Sequence, residues 1–404
     1  MISVDEARTK ILKDILPVGT EVVALSAAAG RVMAEDALSR RTQPPADMSA
    51  MDGFAVKTGD LKSIPMDLKI IGEVPAGGAY DKEVKAGEAV RIFTGAPLPQ
   101  GTDTIIIQED TDFSNETVTV KEGAAKGTYV RPAGLDFRQG DVGLTAPRIL
   151  SPRDIGLLAA MNIPWVTVRR KPKIALLSTG DELVRPGEPI GPNQIISSNS
   201  LLVAALIEAA GGEAIDLGIA MDNAESLREK VKDAKSADML ITLGGASVGD
   251  HDLIQPVLGK EGLSVDFWRI AMRPGKPLMF GSFSGIPMLG MPGNPVSSMI
   301  CSYLFLIPAL DALRGIIPRR PTRQKALLGH AMKANDQRED YMRATITGEK
   351  DGRPVVELFA KQDSSMLSPL SSADCLIVRA PFADALQKGA EVDMIPLTQP
   401  YPAV

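Results

Sequence analysis

Leu243-Gly244-Gly245-Ala246-Ser247-Val248-Gly249-Asp250-His251-Asp252 follows directly on the apolar run Met239-Leu240-Ile241-Thr242. A short apolar strand that opens into a glycine-rich polar turn belongs to a parallel sheet, whose ligands bind beyond the carboxyl ends of the strands. A helix start needs one cap. This stretch supplies two adjacent glycines, Ser247, a third glycine, and then Asp250 and Asp252. Adjacent glycines cost conformational entropy on folding, which is understandable where backbone amides must touch a ligand. Three further turns have the same texture: Leu177-Ser178-Thr179-Gly180-Asp181-Glu182-Leu183, Leu217-Gly218-Ile219-Ala220-Met221-Asp222, and Leu289-Gly290-Met291-Pro292-Gly293-Asn294-Pro295. Four such turns in about 120 residues point to one shared site. The amides at the helix starts that follow favour an anionic, nucleotide-like or phosphorylated substrate.

Outward from these turns, residues 173–314 alternate strand and helix patterns. The spacing predicts strands at 174–177, 214–217, 239–243, 265–270 and 287–289, and helices at 200–210, 224–234, 253–259 and 295–313. That alternation means a parallel sheet covered on both faces. Upstream, short β-rich runs at 68–71, 89–93, 104–108 and 117–120 sit between Gly, Pro and Asp turns and predict a small β-rich domain. Ser3-Val4-Asp5-Glu6 has the form of a capping box for a helix reaching about residue 15, and Ser151-Pro152 starts another that ends near 161. Paired together, these helices would form a stem interrupted by the β-rich insertion. After Pro318-Arg319-Arg320-Pro321 the texture is β again. The expected architecture is multidomain α/β plus β: a helical stem (1–41 and 144–170), an inserted β-rich domain (42–143), a central parallel-sheet βαβα domain (171–317) and a C-terminal small β-barrel (318–404).

Composition removes several function classes. The 404 residues are 44% hydrophobic with a net charge of −6, which supports a proper core and argues against a nucleic-acid or membrane-surface binder. Cys301 and Cys375 are too few for a disulfide framework or a cysteine zinc site, and His251 and His330 cannot build a histidine metal centre. The first 13 residues read as an amphipathic helix without a secretion-signal core, and the longest apolar stretch, near 296–310, is interrupted by serines, Tyr303 and Pro308. It falls short of the ~20 residues that span a bilayer, so a soluble, cytoplasmic protein is expected. No GxxxxGK[ST], no GxGxxG after a strand, no HExxH and no GxSxG is present, leaving kinase, P-loop, Rossmann, zincin and serine-hydrolase readings without support.

Several of the polar residues have plain structural readings. Asn294-Pro295 is a standard helix start, and Asp222-Asn223-Ala224-Glu225 reads as a capping box with Asp222 as the cap. Asp181 and Glu182 could be first-turn acids favoured by the helix dipole. With Asp222 and Asp252, however, they would put carboxylates at three successive strand ends, and clustered carboxylates at an anion site call for a hard cation such as Mg²⁺. Arg269, Arg273 and Lys276, in Trp268-Arg269-Ile270-Ala271-Met272-Arg273-Pro274-Gly275-Lys276-Pro277, are either a solvated basic turn or a stiff, preorganised anion anchor. Pro44-Pro45-Ala46-Asp47-Met48-Ser49-Ala50-Met51-Asp52-Gly53-Phe54-Ala55-Val56 mixes small, acidic and exposed-looking apolar residues, as a loop abutting another surface would.

With residues 44–56, Phe93-Thr94-Gly95-Ala96-Pro97, 178–183, 244–252, 273–277 and 291–298 in this order, the chain resembles the molybdopterin molybdenumtransferases (bacterial MoeA and the E domain of gephyrin). The resemblance implies a homodimer with four domains per subunit, in which the α/β domain of one subunit faces the inserted β-rich domain of the other and the site is shared. It implies a transferase that takes adenylated molybdopterin and molybdate, releases AMP and inserts molybdenum at the dithiolene with help from Mg²⁺, served by a molybdopterin adenylyltransferase partner. It places Asp52, Thr94, Asp136, Glu182, Asp222 and Asp252 at catalytic positions, Asp222 and Asp252 as Mg²⁺ ligands, and Arg131 at a substrate-binding one. Gly244, Gly245 and Ser247 would cradle phosphate oxygens, with Pro292, Asn294, Pro295 and Ser297 at the neighbouring strand end. Arg269 and Arg273 fall where many members carry lysine, and arginine brings a planar fork and different reach. Arg273, Lys276 and Arg343 would collect the molybdate dianion with Ser364, or with Ser365 as its equivalent. Two other readings share features with this one: a molybdopterin adenylyltransferase, which has the same βαβα fold, and a gephyrin-like scaffold without catalysis. Molybdenum and tungsten oxyanions are not distinguished by sequence.

Overall fold

A computed structural model describes residues 1–245 and 254–397. They divide into two units, one of Val22–Ala29 with Met33–Thr167 and one of Met1–Glu21, Gly30–Val32 and the chain from Val168 onward.

The first unit is built on six strands: β1 (Gly53–Val56), β2 (Met66–Val74), β3 (Glu88–Ile92), β4 (Thr104–Ile107), β5 (Thr111–Phe113) and β6 (Thr117–Val120), in the order β4-β1-β3-β2-β6-β5. Side chains alternate across it with the period of two that strands impose. Phe54, Val56, Ala89 and Ile106 pack on one face, while Ala55, Val90, Ile92 and Ile105 pack on the other. The segment 44–56 is therefore misread as a loop from sequence: its last four residues are the fully buried β1. Gly53 is there because β4 runs so close that a Cβ would lie 2.0 Å from the Ile106 carbonyl oxygen. Val130–Arg131 pairs antiparallel with Met48–Ser49, just before β1. The helix Pro152–Ala160 starts as expected, with Ser151 and Asp154 forming a reciprocal capping box.

The N-terminal helix α1 (Val4–Lys13) also begins as read: Ser3 Oγ accepts from the Glu6 amide (3.1 Å) and Glu6 Oε2 accepts from the Ser3 amide (2.7 Å). It belongs to the second unit, not to a stem with Pro152–Ala160. Val4, Ala7 and Ile11 share a core with Ile174, Val203, Ile207, Leu306 and Leu310.

The central sheet of the second unit comprises β7 (Lys173–Thr179), β8 (Glu213–Ala220), β9 (Met239–Leu243), β10 (Leu263–Trp268), β11 (Met279–Phe283) and β12 (Ile286–Met291), ordered β8-β7-β9-β12-β11-β10. The first four are parallel, whereas β11 and β10 are antiparallel additions. This corrects the all-parallel expectation and adds β11, which the sequence pattern left unassigned. Its cause is the two-residue turn Ser284-Gly285, at φ 49° and 88°, the left-handed pair that closes tight hairpins. One side of the sheet packs Ile174, Leu176, Ile241 and Leu289, and the other packs Ala175, Leu177, Leu240 and Met288. The helices that follow the strands include Asn199–Ala209, Ala224–Val231 and the run Pro295–Leu313, which passes through a π-helical turn at Ser302–Leu306. That run is the one described helix long and apolar enough to cross a membrane, and 83% of its apolar window is buried in the fold.

The C-terminal strands β13 (Gln324–Leu328), β14 (Glu339–Lys350), β15 (Arg353–Leu358), β16 (Cys375–Arg379) and β17 (Glu391–Pro396) run β14-β15-β13-β17-β16, and a β14–β16 pairing closes the small barrel. Met272–Arg273, from the α/β part, adds in parallel to β14.

Candidate functional site

The carboxyl ends of β7, β8, β9 and β12 open onto a cleft of about 590 Å³. Each of the four glycine-bearing turns contributes to it: Gly180 and Glu182 after β7, Asp222 after β8, Gly244 and Gly245 after β9, and Pro292 to Pro295 after β12. The turn after β7 does not start a helix; it leads into the short strand Leu183–Val184, so Asp181 and Glu182 are not first-turn acids. Gly180 takes φ +145°, and a Cβ there would sit 2.5 Å from the Glu182 carboxylate, so glycine leaves that side chain room to fold back. Asp181 Oδ1 accepts from the Asp222 amide (2.8 Å), tying the first two turns together. The cap of Ala224–Val231 is Asn223, whose Oδ1 accepts from the Ser226 amide, so the Asp222 carboxylate is not spent on capping.

Gly244 and Gly245 both adopt left-handed backbone, at φ +96° and +61°. Their small size also has a packing cause: side chains there would meet the Thr179 carbonyl at 2.8 Å and the Ile254 side chain at 2.7 Å. Asn294 caps the next helix by position only. Its Nδ2 donates instead to Ser364 Oγ (2.8 Å) in the barrel segment, and the Val296 amide donates to the Ser364 carbonyl (3.1 Å). That contact carries Ser365, rather than Ser364, to the wall of the cleft. Ser247 and Asp252, with the rest of that turn, lie outside the described residues.

Glu182 and Asp222 are the ionisable side chains among the described residues of the lining, and both are acidic. Among the described residues no group of three potential metal ligands converges. Two carboxylates nevertheless offer the oxygen donors that a hard divalent cation takes. They also leave an entering phosphate repelled unless such a cation or backbone amides offset their charge.

Asp52, Thr94, Arg131 and Asp136 are gathered in the other unit around the segment 43–52. Asp52 Oδ1 accepts from both the amide (2.7 Å) and the hydroxyl (2.8 Å) of Thr94. Those two donors, the amide first, hold the Asp52 carboxyl below the usual carboxylate range. Arg131 pairs opposite Met48, and the Asp136 amide donates to the Gln43 carbonyl (3.0 Å). All four are exposed.

The MoeA N-terminal region (domain I and II) matches residues 2–162, the probable molybdopterin binding domain matches 175–312, and the MoeA C-terminal region (domain IV) matches 325–397. The chain is 37% identical over 382 residues to the molybdopterin molybdenumtransferase of Haemophilus influenzae, covering 94% of each chain. The chain belongs to the molybdopterin molybdenumtransferase family. A Nostoc protein of the same name is 37% identical over 332 residues, covering 80% of this chain and 76% of its own. The molybdopterin biosynthesis MoeA protein from Pyrococcus horikoshii superposes with a TM-score of 0.86 at 30% identity, over 98% of this chain and 99% of that one.

Within this molybdenumtransferase-family chain the cations are arranged differently from the sequence expectation. Arg273 is engaged by acids: Nε donates to Asp340 Oδ1 (2.8 Å), Nη2 to Asp340 Oδ2, and Nη1 to Asp336 (3.3 Å). Asp340 is 2% exposed, and a buried carboxylate needs such a partner. Arg343 is 1% exposed. Its guanidinium donates to the carbonyls of Met366 (2.8 Å) and Asp363 (2.8 Å), shaping the loop that carries Ser365. Arg273 is thus half-exposed but shared between two acids, and Arg343 is buried on backbone carbonyls. Lys276 is exposed, makes no ion pair among the described residues, and precedes Pro277 of the cleft wall. Arg269 stands at φ +80° with its guanidinium 5.4 Å from the centre of the Trp268 ring. Ser297 is buried and does not line the cleft.

Sequence reasoning missed Ser178, Ser197, Ser198 and Asn199, all on the cleft wall; Asn199 Nδ2 donates to the Gly293 carbonyl (2.6 Å). The signal was the polar run Ser197-Ser198-Asn199-Ser200 ahead of an apolar helix. Cys301 and Cys375 are buried, and burial raises both thiols (Cys375 to about 12), which leaves them inert as nucleophiles.

Proposed function

We propose that this chain is a molybdopterin molybdenumtransferase: it binds adenylated molybdopterin and molybdate, releases AMP and leaves molybdenum on the dithiolene. The observation that carries this reading is the convergence of Glu182, Asp222, Gly244 and Gly245 on one cleft at the strand ends. Cleaving a phosphoric anhydride depends mainly on position and on neutralising charge at the bridging and leaving oxygens. Gly244 and Gly245 bring backbone close to the phosphates, and Glu182 orients the attacking oxygen. A Mg²⁺ ion held by Asp222 and Asp252 would supply the charge neutralisation that the acidic lining calls for. Lys276 attracts molybdate, while Ser365 and Asn294 contribute hydrogen bonds. Arg343 acts at one remove, by holding the Ser365 loop. No side chain has to become a covalent nucleophile.

The protein works as a cytoplasmic homodimer in which Asp52, Thr94, Arg131 and Asp136 of one subunit complete the site of the other. A molybdopterin adenylyltransferase supplies the substrate. The test is a metal-insertion assay with purified adenylated molybdopterin, Mg²⁺ and either molybdate or tungstate. AMP release coupled to metal incorporation is the expected result, and the absence of both with either oxyanion would overturn the proposal.

A further inference from the structure

The cleft has a side chamber of about 260 Å³. Ser178 and Ser197 border both spaces, and Arg185, Ser200, Leu201 and Asp216 complete the chamber's polar and apolar sides. Its wall is built by a β-bulge. Asp216 of β8 pairs with Leu176 of β7, but Ser178 pairs with Ile219, so β8 carries one extra residue. Bulges re-aim side chains beside functional sites. Gly218 absorbs this one at φ +86°, and its amide donates to Asp216 Oδ1 (2.8 Å). A Cβ at Gly218 would come 3.1 Å from Arg185 Nη2, so the glycine also makes room for the guanidinium. Arg185 Nη2 stands 4.0 Å from Asp216 Oδ2, too far for a hydrogen bond between them. Ser178 is 2% exposed, and its hydroxyl has no partner among the described residues. A buried hydroxyl left unpaired is costly, and a ligand group would satisfy it.

We propose that this chamber seats the aminopyrimidinone edge of the substrate's pterin ring, an inference that rests on the function proposed above. That edge presents a ring N–H and an amino group side by side, next to a carbonyl. Asp216 is an acceptor and takes the two donors; Arg185 is a donor and takes the carbonyl. Adenine fits less well, because it sets a ring nitrogen lone pair beside its amino group and would turn that lone pair toward the second carboxylate oxygen. Leu201, 59% exposed, offers the ring face an apolar surface. Ser178 reaches the ring where the chamber meets the cleft.

The test compares the parent chain with Asp216→Asn and Arg185→Met. Binding of 2-amino-4-oxopteridine is followed by its fluorescence, binding of AMP by calorimetry, and matched thermal melts show that the variants are folded. Asp216→Asn should lose about tenfold or more in pteridine affinity, Arg185→Met should also weaken it, and AMP affinity should stay at the parent value in both. Unchanged pteridine affinity in Asp216→Asn, a loss confined to AMP, or a parent that binds AMP but not pteridine would each overturn the chamber assignment alone. A parent that binds neither ligand and inserts no metal would overturn the functional reading with it.

Discussion

At the scale of single residues, the acids of this chain divide by what they hold. Asp222 and Glu182 face the cleft, whereas Asp336 and Asp340 are occupied with arginines. Asp336 accepts from the side chain and backbone of Arg338, which brings its pKa from 3.8 to about 2, with Arg273 adding a smaller pull. A carboxyl depressed on folding contributes stability above its unfolded value and loses it as the pH falls toward the folded one. The difference in melting temperature between parent and Asp336→Asn should therefore be steady above about pH 5 and shrink between about pH 4 and 2. A gap that stays constant over that range, measured by thermal melts in matched salt, would show that Asp336 is not held this way. Such pairings were not legible in the sequence. Asp340 is 67 positions from Arg273, and nothing local marks two residues that meet only after a strand from one domain joins a sheet of another. Arg343 was read as a molybdate ligand, and nothing local in the sequence marked its burial or the Met366 and Asp363 carbonyls that its guanidinium holds.

At the scale of elements, what the chain wrote locally was readable. Ser3 with Glu6 and Ser151 with Asp154 sit three apart, and both helices start where those caps stand. The strands that feed the cleft were read because apolar runs end in glycine turns. Three strands of the two main sheets escaped: the three-residue β5, β11 and β1. β11 was hidden because its two-residue hairpin leaves little polar sequence to separate it from β12. β1 was hidden because Met51-Asp52-Gly53 ahead of it has the composition of a turn. The cleft's acids were legible for the same reason as its strands, while Ser178 was not, since a serine inside a buried strand looks like any tolerated small residue. The tight spot at β1 gives a sharp prediction. Gly53→Ala forces a methyl group against the Ile106 carbonyl at 2.0 Å, and overpacking of this kind costs about 1–3 kcal/mol. The denaturant midpoint should fall accordingly, and Asp52, the preceding residue, should lose its alignment with Thr94. A Gly53→Ala chain with the parent midpoint would mean that β1 and β4 are farther apart than described.

At the scale of the whole molecule, the candidate residues fall into two sets, one in each unit, and the proposed homodimer assigns them to sites shared between subunits. Asp52→Ala and Asp222→Ala chains should each be inactive alone. Mixed and allowed to exchange, they should recover activity, because some dimers then contain one site with neither substitution; for random pairing, roughly a quarter of the sites would be intact. Demonstrated subunit exchange without any recovery would place both carboxylates in the site of a single subunit. The barrel raises a different matter, that of inheritance. It is closed by its own five strands, yet it also accepts Met272–Arg273 along β14, and that borrowed strand delivers the cation for Asp340. A part stitched in this way cannot be exchanged between relatives as an independent cassette. A foreign barrel would have to arrive with an acid at 340 that suits the base already present at 273, and drift at either position is tethered to the other.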